Sequence, residues 1–484
     1  MRQVPRRGSR IEDLETLALE EALGAGAAYA DIRLVHRRTE SIRIKNDNVE
    51  ALTENGTAGF GIRALVNGAW GFSSSSHLEG GEMKRVAGEA VRIARASAGV
   101  KADDVRLAET AAHHDHYASP RKIDPWDVPL EEKLGLLMDA QKRLATDPAI
   151  KIRVANFQAF LERNTFASSE GARLEQDILQ TGAGIEAVAL EGGEVQRRSK
   201  SNFGGAGWEF VESLHLADHA EATADQAVAL LGAPSCPSGK SDLVLSSDQL
   251  ALQVHESCGH PTELDRALGM EAAYAGTSFL TPDKRGDFRY GSETVNIVAD
   301  ATAEGGLGTF AYDDEGVQAQ RVDLIKDGVF VGYQSSRETA SLYGEGSSGG
   351  MRADGWSRIP LIRMTNVNLL PGDWALDELL ADTKEGIFME TNRSWSIDDR
   401  RLNFQFATEA AWEIKDGERG GLLRQPTYTG ITYEFWRSCD AVGNEKEYRL
   451  WGTPNCGKGQ PGQVARVGHG SPPARFRDVQ VGVI

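Results

Sequence analysis

Ser241-Asp242-Leu243-Val244-Leu245-Ser246 reads as a strand, and the residues after it read as a helix. Ser247 and Asp248 supply N-cap chemistry, and Leu250, Val254 and Cys258 recur every four residues as an apolar helical stripe. On this helix lies Val254-His255-Glu256-Ser257-Cys258-Gly259-His260, a His-Glu-x-x-x-His pattern. Two imidazoles can bind a metal through neutral nitrogens, and a carboxylate beside the first can act as general base on activated water. A catalytic zinc needs three protein ligands and one open position, so one ligand is left to find. The candidate is Cys456 in Gly452-Thr453-Pro454-Asn455-Cys456-Gly457-Lys458-Gly459. A lone cysteine is otherwise a buried small hydrophobe. Here Gly457 and Gly459 permit a tight backbone approach, and Lys458 favours the thiolate.

The spacing poses a geometrical problem. Histidines at i and i+4 lie nearly on one face of a helix. At i and i+5 they are about 140° apart on a regular helix and do not converge. Two solutions are open. Either the helix carries an extra residue as a π-bulge, or it ends near Gly259, as Pro261 suggests. Glu263 and Asp265 follow closely and can hold the imidazoles as outer acceptors; in a solvated turn they would do nothing.

The chain resembles the TldD/PmbA family, named for modulation of DNA gyrase, and within it the TldD-type zinc metalloprotease branch. The resemblance rests on His255-Glu256-x-x-x-His260 with Glu263 and Asp265, on Tyr312-Asp313-Asp314-Glu315-Gly316-Val317, on Arg363-Met364-Thr365-Asn366 and on the segment around Cys456. It extends upstream through Tyr29-Ala30-Asp31-Ile32-Arg33 and Gly68-Ala69-Trp70-Gly71-Phe72 and covers nearly the whole chain. It implies one Zn2+ per chain held by His255, His260 and Cys456, with Glu256 catalytic. It also implies a PmbA/TldE-type partner subunit or a homodimer, with the site enclosed in the assembly. PmbA-type members lack the metal motif, so its presence places this chain with the active branch. The form Pro261-Thr262-Glu263-Leu264-Asp265 departs from the commonest one and bears on substrate preference.

With 484 residues, two or three domains are expected. The net charge of −18 argues against broad nucleic-acid binding, which needs a cationic footprint. The N-terminal arginines precede no apolar segment of a secretory signal, and no apolar run approaches membrane-spanning length. Cys236, Cys258, Cys439 and Cys456 are too few and too scattered for a disulfide framework. A cytoplasmic protein with reduced thiols, no nucleic-acid partner and no membrane contact is the expectation.

The fold class expected is α+β: two small α+β N-terminal units, then an antiparallel-β-rich C-terminal metallopeptidase domain. The first unit, residues 1–100, has a helix from Ile11 to about Leu23 capped by Ser9, and strands alternating at Ile32, Leu34, Ile42 and Ile44. Asn46-Asp47-Asn48 turns a hairpin; Phe60 to Val66 is turned by Asn67-Gly68 into Trp70 to Ser74; a helix runs from about Gly81 to Ala98. The second unit, 101–239, opens with a polar linker to Val128 that contains His113-His114-Asp115-His116, read as a solvated loop. Pro129 opens a helix to about Thr146; strands follow at Ile152 to Leu161, Thr165 to Ser168 and Ile185 to Leu190, then a helix from about Glu212 to Leu231. The Pro/Gly/Ser-rich segment from Gly232 to Gly239 ends the unit.

In the third unit, 240–484, a short helix is expected at Leu268 to Tyr274, and Thr294 to Ala299 is a strand. Gly305-Gly306-Leu307-Gly308 reads as a loop and Asp313 to Gly316 as a solvated turn. Val322 to Tyr333 forms a hairpin, and Gly344 to Gly355 is a loop that can lie over the site. Arg358 and Arg363 can receive a peptide carboxylate, or pair at the surface. Ile387 to Glu390, Phe404 to Ile414 and Gly430 to Trp436 are strand-like, and an exposed edge would let an extended peptide bind through its backbone. The leading expectation is a zinc peptidase acting on unfolded polypeptides or short peptides, Glu256 being the base. The alternatives are a non-catalytic subunit that binds peptide or partner around a structural metal, and metal-assisted hydrolysis of a non-peptide amide.

Overall fold

Strand alternation on the N-terminal hairpin places apolar side chains on one face and charged ones on the other, and both faces are covered. The structure, a computed structural model, describes residues 9–459 and 461–482. Helix α1 (Ser9–Gly24) precedes β1 (Tyr29–Lys45), β2 (Asn48–Val66) and β3 (Ala69–Ser75). Asn46 and Asp47, at φ 46° and 65°, make the first turn, and Asn67 and Gly68, at 48° and 71°, the second. These are the left-handed pairs that two-residue hairpins select. The Ser9 cap and the N-terminal arginines lie outside the residues whose side chains are described.

Helix α2 (Gly80–Ala98) follows, then β4 (His114–Ala118), α3 (Leu130–Arg143), β5 (Ile150–Ser168), β6 (Arg173–Glu191), β7 (Glu194–Gly204), α4 (Trp208–Ser213) and α5 (Leu216–Gly232). The strands are longer than the sequence patterns, and β1 pairs with β5 from Asp31↔Ser168 to Lys45↔Val154. Strands from residues 1–100 and 101–239 therefore share one seven-stranded sheet, ordered β3-β2-β1-β5-β6-β4, with β7 also on β6. Ile32 and Leu34 pack with α1 and α2, while Ile42 and Ile44 pack with α3, α4 and α5. Two helical layers thus sit on one face of a single sheet. The expected linker supplies an edge strand, β4, parallel to β6. The helix expected from Glu212 breaks between α4 and α5, where His215 has φ 45°.

The odd-numbered face of β1 and β2 meets the C-terminal domain. Arg63 Nη2 lies 2.6 Å from Asp31 Oδ2 and its Nη1 3.2 Å from Glu315 Oε1, all three side chains at most 2 % exposed. Arg33 Nη1 is 3.3 Å from Asp314 Oδ2, and the Glu315 carboxylate accepts the Arg337 backbone N–H at 2.8 Å. The acidic stretch Asp313 to Gly316 is therefore buried against the sheet, not a solvated turn as expected. Acidic composition cannot reveal that arginines of a distant strand wait for it. Gly61 matters here: a Cβ would come within 2.4 Å of the Trp356 carbonyl, so only glycine lets that segment lie on the sheet.

The C-terminal part begins with β8 (Gly239–Leu245) and α6 (Ser247–Val254), with Ser246 at the N-cap, one residue before the expected one. Then come α7 (Leu264–Ala267), β9 (Ile297–Asp300), β10 (Arg321–Lys326), β11 (Val329–Phe330), α8 (Arg337–Ser341), β12 (Met351–Arg352), β13 (Leu361–Ile362), β14 (Val367–Leu369) and α9 (Leu376–Asp382). The short helix expected at Leu268 is α7, and residues 268–275 only turn. The chain ends with β15 (Glu385–Ile397), β16 (Asn403–Lys415), β17 (Glu418–Leu423), β18 (Thr427–Ile431), α10 (Thr432–Arg437), β19 (Cys439–Val442), β20 (Arg449–Gly459), β21 (Gly462–Ser471) and β22 (Ala474–Val481). Pairing of β15 with β16 closes the path β15-β8-β22-β18-β16 into a ring. Gly430 to Trp436 is not one strand: β18 ends at Ile431, and α10 turns both Phe435 and Trp436 into the core.

The buried ion pairs make a stability prediction. Arg63→Ala leaves Asp31 and Glu315 without their guanidinium. It is expected to destabilise the fold by about 3–5 kcal/mol in urea unfolding. A loss below about 1 kcal/mol would mean that the charges are solvated after all.

Candidate metal centre

The helix solves the spacing problem with a π turn. Regular α-helix ends at Val254, residues His255–Gly259 form a π-helix, and a single 3-10 turn, His260–Thr262, ends it. The His260 backbone N–H donates to the His255 carbonyl, so five residues make about one turn and the imidazoles converge. Their ring centroids are 4.9 Å apart at 89°. Both sequence solutions occur together, the bulge first and the ending directly after it.

A π turn displaces carbonyls from the ordinary ladder, and one side chain of the following turn and two from distant segments take them. Tyr290 Oη donates to the Ser257 carbonyl at 2.5 Å, Thr262 Oγ1 to that of Cys258 at 2.8 Å, and Gln334 Nε2 to that of Gly259 at 3.0 Å. A Cβ on Gly259 would fall 2.1 Å from Met364 Sδ, so glycine is what lets Met364 pack on the turn. Leu250, Val254 and Cys258 lie fully in the core, as their periodicity predicts.

Cys456 arrives on β20, paired with β21 in a two-stranded ribbon whose register shifts between Thr453 and Cys456. Its Sγ is 3.7 Å from His260 Nε2. Tetrahedral bonds of about 2.1 Å to nitrogen and 2.3 Å to sulfur give an N···S edge of about 3.6 Å, so the separation fits one shared ion. One ligand atom each from His255, His260 and Cys456 lies within 4.8 Å of the others, and all three residues are buried. Among the described residues this is the one group of three or more His, Cys, Asp or Glu with such spacing. His113 to His116 makes none: His114 and His116 are exposed on β4, and Asp115 accepts from Tyr312 Oη at 2.8 Å.

The ring nitrogens facing away from the cluster are all engaged. His260 Nδ1 is 3.0 Å from Glu263 Oε2, which leaves Nε2 for a metal. His255 Nδ1 is 2.7 Å from Nε2 of His469, whose Nδ1 is 3.0 Å from the Val367 carbonyl. A carbonyl only accepts, so His469 carries its proton on Nδ1 and presents a lone pair at Nε2. His255 then donates from Nδ1, and its own Nε2 lone pair is free for the ion. Burial and the His255 ring hold the His469 pKa well below the usual histidine range, which keeps it a neutral acceptor. His469 escaped the sequence reading, although it lies on the ribbon face of Val467 and Ala465, the residue paired with Cys456.

Burial works against every charge here, and local partners reverse it for four groups, His255 among them, whose pKa is raised by Cys456 beside it. Against burial, the His255 and His260 rings hold the Cys456 thiol well below its ordinary value. Lys458 and His260 do the same for Glu263, and His255, His260 and Arg401 keep Glu256 a carboxylate. Asp265 goes the other way, raised by burial although Lys458 lies beside it. Lys458 therefore does not act on the thiolate as expected. Its Nζ contacts Asp265 at 2.8 and 2.9 Å and the Ile362 carbonyl at 2.7 Å, clamping the ribbon to the segment after the motif. Arg363 is buried, with Nη1 and Nη2 on the carbonyls of Gln463 and Cys456. It braces the ribbon and is closed to a substrate carboxylate.

A cavity of about 410 Å³ opens on the three donors. Glu256 and Leu252 line it from the helix, Thr453, Asn455 and Gly457 from β20, and Trp395, Ser396, Ile397 and Arg401 from the β15–β16 hairpin. The segment Gly344 to Gly355 does not line it: Met351 and Arg352 pair with β13, and Asp354 binds Arg37 of β1. Trp395 and Arg401 had no motif to mark them.

The chain matches the PmbA/TldA metallopeptidase domain 1 over residues 30–94, the central domain over 123–231 and the C-terminal domain over 238–483. It is 33% identical over 452 residues to a metalloprotease of Methanocaldococcus jannaschii, covering 93% of this chain and 96% of that one. It is 24% identical over 469 residues to a zinc metalloprotease TldD homolog of Saccharolobus solfataricus, covering 96% and 98%. A candidate DNA gyrase modulator of Thermotoga maritima shares the fold, with TM-score 0.79, 18% identity and coverage of 98% of this chain and 100% of that one. TldE of Thermococcus kodakarensis does so at TM-score 0.75 and 17% identity, covering 98% and 100%.

His469→Phe keeps the volume and removes the acceptor for His255. It is expected to weaken zinc binding about 10- to 100-fold in a chelator competition, with the fold retained by circular dichroism. Unchanged affinity would mean that the ring orients itself.

Proposed function

This chain belongs to the PmbA/TldD metallopeptidase family, and on that footing we propose that it is a zinc-dependent peptidase cleaving unfolded polypeptides or short peptides. The observation that carries the reading is the convergence of His255, His260 and Cys456 within 4.8 Å beside an open cavity. Two imidazoles and a thiolate are a donor set suited to zinc. Zinc bound there supplies Lewis acidity, lowering the pKa of water and polarising a carbonyl. The closed site of a structural metal would need a fourth donor. Among the described residues no fourth His, Cys, Asp or Glu joins the group, which favours catalysis over the binding-subunit alternative.

Glu256 takes the proton of the attacking water and passes it to the departing amine nitrogen. Its Oε1 lies 4.0 Å from His255 Nε2, on the side of the donors. Glu263 and His469 hold the two imidazoles in the tautomers that ligation requires. Substrate enters as an extended strand. Strand β15 pairs with β8 only at Ile387, Phe388 and Met389, so its far half has an edge without a described partner. That half ends in Trp395, Ser396 and Ile397 at the cavity, with β20 opposite. An extended peptide laid there is held by backbone hydrogen bonds, with little demand on its side chains. A folded protein cannot present such a strand. The likeness to TldE supports a PmbA/TldE-type partner subunit, with a homodimer as the other assembly. Among the described residues no helix is long and apolar enough to cross a membrane, and the four cysteines are free, in keeping with a reducing, cytoplasmic setting.

Two variants test this. Glu256→Gln is expected to retain about one zinc per chain and to lose about 10²- to 10⁴-fold in cleavage of a denatured, fluorophore-labelled polypeptide. A fully active, zinc-loaded variant would exclude Glu256 as base. Cys456→Ser is expected to lose its zinc by mass spectrometry; full retention would move the third ligand elsewhere.

A further inference from the structure

We propose that Arg401 is a catalytic residue: its guanidinium donates to the oxygen of the scissile carbonyl and stabilises the negative charge that gathers there when water adds. The proposal rests on the peptidase reading above and adds to it the group that meets the carbonyl oxygen.

Among the described residues lining the cavity, Arg401 is the one lysine or arginine. Its Nη1 is 2.6 Å from Glu256 Oε2, and its side chain keeps 16 % exposure beside 6 % for Glu256. The two oxygens of Glu256 thus face different ways, Oε1 toward the metal-facing nitrogen of His255 and Oε2 toward Arg401. Base and cation stand side by side at one reacting centre. Nη1 is the one guanidinium nitrogen of Arg401 with a hydrogen bond to a described residue, and the side chain's remaining exposure opens on the cavity. A guanidinium carries five N–H donors, so binding Glu256 leaves others for a substrate oxygen. Preorganised donors aimed at a developing oxyanion in a water-poor cleft are among the largest contributors to acyl-transfer catalysis.

The backbone points the same way. Arg401 has φ 62°, a left-handed conformation costly for a long side chain. It is held by its own N–H on the Asp398 carbonyl at 2.9 Å and by Thr432 Oγ1 on its carbonyl at 2.8 Å. The Asp399 and Arg400 carbonyls accept from the Thr277 and Phe279 N–H groups at 2.8 and 2.9 Å. The hairpin tip is thus pinned in the form that lays one arginine over Glu256.

In the step itself, water bonds to the carbonyl carbon as its proton passes to Glu256. The π pair of the carbonyl moves onto oxygen, where the Arg401 N–H meets it. Return of that pair breaks the C–N bond, and the proton leaves Glu256 for the amine. One water is consumed and Arg401 stays charged throughout.

The test uses the zinc-loaded protein with Arg401→Met and Arg401→Lys, each checked for zinc content and melting temperature. Arg401→Met is expected to lose about 10²- to 10³-fold in kcat, with KM within about threefold and zinc unchanged, and Arg401→Lys to recover part of it. By calorimetry, a phosphinic peptide that mimics the charged tetrahedral adduct should bind Arg401→Met on the order of 10²-fold more weakly. A reduced-amide peptide without the carbonyl oxygen should bind wild type and variant alike. Equal weakening of both peptides, or a loss confined to KM, would overturn the proposal and make Arg401 a positioning residue for Glu256 or the hairpin. A wild type that cleaves beside a fully active Arg401→Met overturns this proposal alone. A wild type that cleaves nothing overturns the peptidase reading and this proposal with it.

Discussion

His255 and His260 are five positions apart, and the helix must make that distance equal one turn. The π turn does so by displacing the carbonyls of Ser257, Cys258 and Gly259 from the regular ladder. A buried carbonyl without a donor costs about 1–3 kcal/mol, and three of them rival the net stability of a domain. Tyr290, Thr262 and Gln334 supply the donors. Segments far along the chain must therefore pack on the motif before it can exist. The stripe of Leu250, Val254 and Cys258 fixes how deep the helix sits, and Gly259 lets Met364 close over the turn.

The third donor depends on a longer chain of contacts. Cys456 rides on a ribbon that could not hold its place alone. Lys458 and Arg363 clamp one side of it to the motif segment and to β13's neighbourhood. The other side rests on the N-terminal sheet, where Gln180 of β6 accepts from Arg466 and Asn202 of β7 reaches the Leu450 carbonyl. The sheet is in turn fixed to the C-terminal domain by Asp31, Arg63 and Glu315. The N-terminal half acts as a backing plate for the ribbon, which explains charged residues inside strands that otherwise read as ordinary amphipathic hairpins.

Much of this was legible in the chain. The turns at Asn46-Asp47 and Asn67-Gly68 need left-handed residues and have them. The stripe on α6 is buried as its spacing demands. His255, His260 and Cys456, which the sequence singles out, lie close together, and Glu263 meets His260. What misled was environment. Asp313 to Glu315 look solvated until Arg33 and Arg63 are placed over them. Lys458 looks like a partner for its neighbour Cys456, yet its ammonium reaches Asp265. Phe435 and Trp436 suit a strand by residue type and a helix by the core they fill. Residues 344–355 look free by composition and are fastened to β1 by Asp354.

By itself the sequence determined the local grammar of this protein: which segments alternate, where they turn, and which side chains have the chemistry to bind a metal and move a proton. Those properties depend on neighbours within a few residues, so chain order displays them. Only the tertiary structure decided that the i,i+5 histidines converge, that His469 sets the tautomer of His255, and that Arg401 stands against Glu256. The last two of these contacts join residues 214 and 145 positions apart. They are made by hydrogen bonds and packing whose partners carry no spacing signal, and they exist only once the ring, the ribbon and the backing sheet have assembled around one buried turn.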